Sequence, residues 1–460
     1  MHVMREREFM LANSDRARNY INHLLRTYSV DELRQRLEPK LGKPSARIPS
    51  ARCLNLQVLE RHWQVLGSDS ENRRALSDPV TLNQIEHYRP NIENFIGTAK
   101  IPVGVAGPLR VNGLFAQGDY YVPLATTEAA LVASYSRGAQ LISEAGGCTA
   151  MLLNEGVSRA PGFVFSDLRE AGLFVAWAVS QQEEFKRVSE ATTRHGKLIN
   201  TWVTVEGNHV YLRFEFSTGD AAGQNMVTIA TEAICSYIRD HSPVRPAYST
   251  VEANFSGDKK ASAQSFVSVR GRKVTAEVFL APSLIKTRLR TTPEQMVKHW
   301  LLGAMGGVLS GTIGVQGHYA NGLAALFIAC GQDVACVAEA AVGVTRFELT
   351  ASGELYASVT LPNLIVGTVG GGTGLPSQQA CLRIMGLAGP GKAKALAEVC
   401  AGLCLAGELS IMGALCAGDF ARAHRCLARG RRDGEKAKAK CQAKRNPDPI
   451  LDDSECNPPI

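Results

Sequence analysis

Two alternating runs, 201–206 and 209–216, joined by Gly207-Asn208, constrain the fold of this chain more than any other segment. In the second run Val210, Leu212, Phe214 and Phe216 fall on one side and Tyr211, Arg213 and Glu215 on the other, as a hairpin with one covered face requires. A helix near 166–191 precedes the hairpin and another follows from about 221 to 238. Helix, hairpin, helix reads as a compact α+β insert between about 162 and 250, inside a chain of another character.

Residues 1 to about 90 read as polar helices, with amphipathic patterns at 33–37 and 54–66, and suggest an arm for packing and assembly. Gly, Pro and Val dominate 101–118, which implies strands and turns. The strand 120–124 then feeds a helix that Thr126 or Thr127 can cap and that runs to Gly146-Gly147. Beyond Lys260 a strand near 265–280 leads to close-packed helices of small residues, including 303–314 and 321–341. A last helix around 420–429 stops at Gly430, and 431–460 is charged, Pro-containing and expected to be disordered.

With 460 residues, 45% apolar, the chain is long enough for two or three domains, each with its own core. The net charge of +7 does not mark a nucleic-acid surface, because 431–445 alone holds seven basic residues against Asp433 and Glu435 and no aromatic residues interleave them. The N-terminal segment mixes both charges without an apolar core, and the longest apolar stretch, 395–418, is interrupted by Glu398 and Glu408, so no membrane anchor is expected. Twelve cysteines contain no Cys-x-x-Cys pair, and Cys330, Cys400, Cys404 and Cys416 sit in apolar helical text. That usage suits a reducing cytoplasm and offers no ligand spacing for zinc.

Two phosphate motifs fail on inspection. Gly386 to Ala393 has the spacing of a P-loop, but Ala393 stands where a hydroxyl must reach magnesium and helical text precedes it. The glycine loop from Gly367 to Gly374 contains no Gly-x-Gly-x-x-Gly fingerprint, so any dinucleotide must be held by a fold other than Rossmann.

Six motifs in order do agree with one family. They are Glu93-Asn-Phe-Ile-Gly97, Ile101-Pro-Val-Gly-Val-Ala-Gly-Pro108, Thr218-Gly-Asp220-Ala-Ala-Gly-Gln-Asn225-Met226, Asp258-Lys259-Lys260, His318-Tyr-Ala-Asn321 and Gly367-Thr-Val-Gly370-Gly371-Gly372. Over roughly 90–430 the chain resembles the soluble catalytic region of the 3-hydroxy-3-methylglutaryl-CoA (HMG-CoA) reductases, class I type. The resemblance implies a four-electron reduction of HMG-CoA to mevalonate and CoA with two NADPH, NADH being possible, no metal, and a dimer-based assembly with its sites between subunits. It implies an α+β fold: a large helix-rich CoA-binding domain (95–160 and 262–430), a ferredoxin-like cofactor insert (161–250), a catalytic loop (251–261), an N-terminal arm (1–94) and a basic tail (431–460).

The same resemblance assigns roles. Glu128, expected in a first helical turn, would protonate the carbonyl oxygen, which demands a raised pKa. Lys259 would hold the oxyanion while Asp258 and Lys260 pair nearby. Asp333, expected in apolar helical text where a carboxylate must find partners, would link Lys259 to Glu128. His424 would protonate the departing thiolate from a mobile C-terminal helix.

Ser134, Arg137, Arg159, His318 and Asn321 would contact substrate, with Arg159 and Lys260 available for a carboxylate. Asp220, Asn225, Met226 and Gly370-Gly371-Gly372 would hold the cofactor, and Thr193-Arg194 would read a 2′-phosphate. Two positions depart from the pattern: Glu252 and Ser283 stand where the animal enzymes have a serine and a lysine. An added acid can repel a free carboxylate, or it can pair with Arg159 and rearrange the pocket. A reductase of a related acyl-CoA and a non-catalytic member of the family are the alternatives.

Overall fold

In a computed structural model, residues 12–40, 42, 45–49 and 54–419 are described. The helix expected at 420–429, with His424, and the basic tail lie outside the described residues.

The main sheet is built around two hairpins and a long shared strand. β1 (Val103–Gly113) and β2 (Gln117–Ala125) are antiparallel, and β1 runs parallel to the first residues of β3 (Cys148–Arg159). β3 then pairs with β8 (Gly271–Leu280), followed by β10 (Leu355–Leu364) and β9 (Val344–Leu349). The last three residues of β3, Val157 to Arg159, leave this sheet and pair with β6 (His209–Ser217) of the insert. One strand therefore carries Arg159 from one half of the molecule to the other.

The insert is β4 (Gly162–Val164), helices Leu168–Ser180 and Gln182–Glu190, β5 (Lys197–Glu206), β6 (His209–Ser217), helix Gln224–His241 and β7 (Tyr248–Thr250). Its antiparallel strand order β7-β4-β6-β5 is ferredoxin-like, as the family resemblance implies. Val210, Leu212, Phe214 and Phe216 are at most 1% exposed, and Phe185 meets Phe214 edge to face. The opposite face is covered too. Arg213 stacks its guanidinium 4.1 Å from the Trp202 ring centre and donates to Ser268 Oγ, and both Arg213 and Glu215 are buried. The helix expected over 166–191 breaks at Gln181, whose side-chain carbonyl accepts from the Tyr237 hydroxyl.

The body of the larger half is the helix Ala393–Cys416, almost wholly buried. It is long and apolar enough to cross a membrane by composition, yet 83% of its most apolar stretch is buried among other elements of the chain. Helix Leu131–Glu144 lies so close to it that a Cβ on Gly138 would sit 1.9 Å from the Ala406 carbonyl oxygen. The two carboxylates that interrupt its apolar text are both partnered. Glu398 accepts from the backbone N–H groups of Leu114, Phe115 and Ala116 in the β1–β2 turn, and Glu408 accepts from those of Gly317 and His318 and from the Thr345 hydroxyl.

Two expectations near the site are corrected. Helix Leu131–Glu144 begins after Glu128, and Thr126 accepts from the Glu128 N–H in the loop before it, so Glu128 is not in a first helical turn. The helix expected over 321–341 is Tyr319–Ala329, a 3-10 turn Val334–Cys336 and a short helix Val337–Ala340, so Asp333 lies in the break. The break is made by Gly331 at φ +67°, where a Cβ would meet the Gly372 carbonyl oxygen at 2.2 Å.

Candidate active site

The loop after β7 delivers Asp258, Lys259 and Lys260 to the seam between the two halves. Its turns run through Asn254, Gly257 and Lys259, all at positive φ, the last at 57°. For a lysine the left-handed conformation costs about 1 kcal/mol, a cost the surroundings must impose. They do so through Glu339, buried in the short helix Val337–Ala340, whose Oε1 accepts from the Lys259 N–H and from Arg270 Nη1. Asp258 is clamped between Arg159 Nη1 at 2.8 Å and Arg270 Nη2 at 2.7 Å. The expected Asp258–Lys260 carboxylate pair is absent: Lys260 Nζ donates to the Asp258 backbone carbonyl and its side chain is exposed.

Lys259 Nζ stands 2.9 Å from Asp333 Oδ2. The hydrogen bond to Asp333 raises the pKa of Lys259, partial burial works against it, and the aspartate's charge adds to the rise, so that the net direction is upward. For Asp333 burial pushes the pKa up, but the hydrogen bond and charge of Lys259 and donors from Ala335 and Gln224 prevail, and it is lowered. Both ends of the pair favour the ionised form, so the amine is held cationic.

Gln224, the first residue of helix Gln224–His241, extends the network: its side-chain amide donates to Asp333 Oδ2 and its backbone carbonyl accepts from Arg159 Nη2. Lys259, Asp333, Gln224, Arg159 and Asp258 thus form one connected set across both halves. Gln224 belongs to the Thr218–Met226 motif but has no spacing that marks it for this role, and Arg270 and Glu339 carry no signal beyond being charges in apolar text.

The other expected residues fall into three groups. Ser134 and Arg137 hydrogen-bond Ser410, and His318 Nε2 lies 2.8 Å from the Gly407 carbonyl oxygen while the His318 backbone carbonyl accepts from the Tyr135 hydroxyl, so the side chains of Ser134, Arg137 and His318 bind the central helix. Asn321 opens helix Tyr319–Ala329 beside them, half-buried. Asp220 is taken up by the backbone N–H groups of Gly391 and Ala393, within the segment that failed as a P-loop.

Thr193 donates to Met226 Sδ within the insert, and Arg194 and Asn225 are exposed. Gly370 and Gly371, at positive φ, have open space where a Cβ would point, and Gly372 packs against Gly331 two residues before Asp333. A bare backbone therefore borders the Lys259–Asp333 pair, a surface a dinucleotide can approach closely.

Glu128 is not brought into the set. Its side chain is exposed, and among the described residues no hydrogen bond or ion pair joins it to Lys259 or Asp333. The expected Asp333–Glu128 link is therefore not made within one chain. A separate cavity of about 450 Å³, lined by Leu153, Trp202, Glu215, Phe266 and Lys273 among others, contains none of this set.

Among the described residues, an α+β body with a ferredoxin-like insert carries a lysine–aspartate pair at their junction and contains no Rossmann domain, and its relatives place it among the oxidoreductases. The family model described as hydroxymethylglutaryl-coenzyme A reductase matches residues 57–429, and the chain belongs to that family. The match begins upstream of residue 90, where the motif likeness starts. A 3-hydroxy-3-methylglutaryl-coenzyme A reductase of Pyrococcus horikoshii is 45% identical over 348 residues, 74% of this chain and 84% of the relative. That of Methanothermobacter thermautotrophicus is 44% identical, covering 82% of this chain and 97% of its own. A class II reductase from Streptococcus pneumoniae, solved bound to NADPH, shares the fold at TM-score 0.59 and 20% identity, over 77% of this chain and 99% of that one.

Proposed function

We propose that this chain reduces HMG-CoA to mevalonate and free CoA at the expense of two NADPH. The observation that carries the reading is the cationic Lys259, fixed by Asp333 at 2.9 Å on the loop between the two halves. Membership of the reductase family supplies the substrate class.

Exposed Arg194, Asn225 of helix Gln224–His241 and the Gly370–Gly372 backbone would hold the reduced nicotinamide dinucleotide, with Thr193 and Met226 shaping the insert behind them. When bound, that cofactor supplies a hydride in each of two rounds. Lys259 donates to the acyl oxygen as negative charge develops there, first on the thioester and then on the aldehyde. Asp333 keeps the lysine protonated and is a positioning residue. Two hydrides and two protons balance the conversion: one proton ends on the final alkoxide and one on the departing CoA thiolate. Glu128 is assigned the first and His424 the second.

Because Glu128 lies apart from Lys259 in one chain, the complete site is assigned to two copies, the loop 251–261 of one facing Glu128 of the other. In this arrangement 95–160 and 262–430 bind CoA, 161–250 binds the cofactor and 1–94 serves assembly. Eight described cysteines are free, seven of them buried, which supports a reducing, cytoplasmic setting.

The test is stoichiometry. Purified protein given HMG-CoA and NADPH should oxidise two cofactors for each thiol released, with NADH run in parallel. Cofactor oxidation without thiol release, or neither, would remove the proposal.

A further inference from the structure

Arg159 is joined to the Lys259–Asp333 pair through Gln224, and on the proposed reading it is the group a substrate carboxylate would seek. It is not free. Asp258 Oδ2 lies 2.8 Å from its Nη1 and Glu252 Oε2 lies 3.4 Å from the same nitrogen. Its side chain is 8% exposed, so these charges meet where water screens them poorly.

Glu252 is held by one oxygen only. Its Oε2 also accepts from the Ser256 hydroxyl at 2.9 Å and the Ala160 N–H at 3.3 Å, while Oε1 is buried without a donor. Counted with Arg270 and Glu339, the cluster holds three carboxylates, Glu252, Asp258 and Glu339, against two guanidiniums. A further carboxylate brought to Arg159 makes a fourth. Lys260 offers an exposed ammonium at the rim but no buried fork.

The geometry points to Glu252 as a specificity-determining residue: a carboxylate built into the acyl pocket that competes with the substrate's own carboxylate for Arg159. It sets how strongly the site distinguishes acyl thioesters that end in a carboxylate from those that end in a neutral group. Glu252 touches neither the lysine nor Asp333 and reaches them only through Arg159 and Gln224, so its direct effect falls on binding. The inference rests on the reductase reading only for the identity of the ligand.

The experiment compares wild type with Glu252→Gln and Glu252→Ser. KM and kcat are measured for HMG-CoA and for its terminal amide, and Kd is measured by calorimetry for free 3-hydroxy-3-methylglutarate and its monoamide. Either substitution should lower KM for HMG-CoA and Kd for the diacid by about tenfold or more, leaving the amides and kcat little changed. The wild type itself should bind the monoamide at least as well as the diacid.

A wild type that prefers the diacid tenfold, or variants that bind it no more tightly, would overturn the inference. Diacid binding needs no turnover, so the two readings fail separately. If no thioester is reduced yet Glu252→Gln still tightens the diacid, the reductase reading falls and the competition stands. The two wild-type affinities decide the matter even if a variant fails to fold.

Discussion

Asp333 holds Lys259 with one oxygen and its own backbone with the other: Oδ2 lies 2.9 Å from Lys259 Nζ, and Oδ1 accepts from the Ala335 N–H at 3.0 Å. The carboxylate cannot swing away without giving up the 3-10 turn it caps. A lysine on a solvent-accessible loop thus acquires a fixed counter-ion, and its position becomes a property of two separate segments of chain.

Removing the amine should act on the barrier more than on binding. Lys259→Met is expected to lower kcat/KM for HMG-CoA by about a hundredfold or more, on the order of 3 kcal/mol of transition-state stabilisation. Lys259→Arg should not restore the rate, because a planar fork cannot occupy the point position that Asp333 and the left-handed backbone define. Steady-state kinetics at saturating NADPH check both.

The pKa directions give a pH prediction with a definite sign. Lys259 is raised, so its part of the pair's stabilisation is present below the ordinary lysine pKa and is lost as pH rises through the raised value. Asp333 is lowered, so its part is present above the ordinary aspartate pKa and is lost as pH falls through the lowered value. The pair is therefore intact across the neutral range. Asp333→Asn removes the partner that raises the lysine, and the alkaline limb of the kcat/KM profile should move to lower pH. An unmoved limb would show that Asp333 does not set the charge of Lys259.

If Glu128 serves the Lys259 of a second copy, two dead variants should repair one another. Glu128→Gln and Lys259→Met should each be close to inactive alone. Co-expressed and assembled at random, they should regain about a quarter of the wild-type sites in mixed dimers, where one site receives both lesions and the other neither. Recovery at the background of either parent would place Glu128 and Lys259 in the same chain's site.

Much of this was legible in the chain. The insert could be read because Val210, Leu212, Phe214 and Phe216 alternate without interruption, and period-2 burial is a local signal. Lys259 could be nominated because Asp258-Lys259-Lys260 is contiguous, and Asp333 because an acid in apolar text must find a partner. The break that frees Asp333 from a helix was not legible, since it depends on Gly331 meeting the Gly372 backbone, forty-one positions away in sequence. Nor were the destinations of Arg159 and Ser134: a long-range ion pair and a hydrogen bond to Ser410 leave no trace in spacing. Glu128 was misplaced by the attraction of a Thr-Thr-Glu cap, which the chain uses three residues before its helix begins.

The central helix supplies a prediction about stability rather than rate. Glu398 is fully buried, and its carboxylate accepts from the N–H groups of Leu114 at 3.2 Å, Phe115 at 2.8 Å and Ala116 at 2.7 Å, with Leu152 at 3.3 Å from across the sheet. It is thereby the anchor of the β1–β2 turn on the core. Glu398→Ala leaves those donors buried and unpaired and opens a cavity beneath the turn. The expected loss is about 3 kcal/mol or more, read from the midpoint of a urea unfolding curve with an unchanged slope. Glu398→Gln keeps the volume but turns an N–H₂ toward N–H groups, so it too should destabilise, by less. Neither residue change touches Lys259 or Asp333, and the fraction that remains folded should keep its KM. A wild-type midpoint in both variants would mean that the turn finds other acceptors and that the central helix does not hold it.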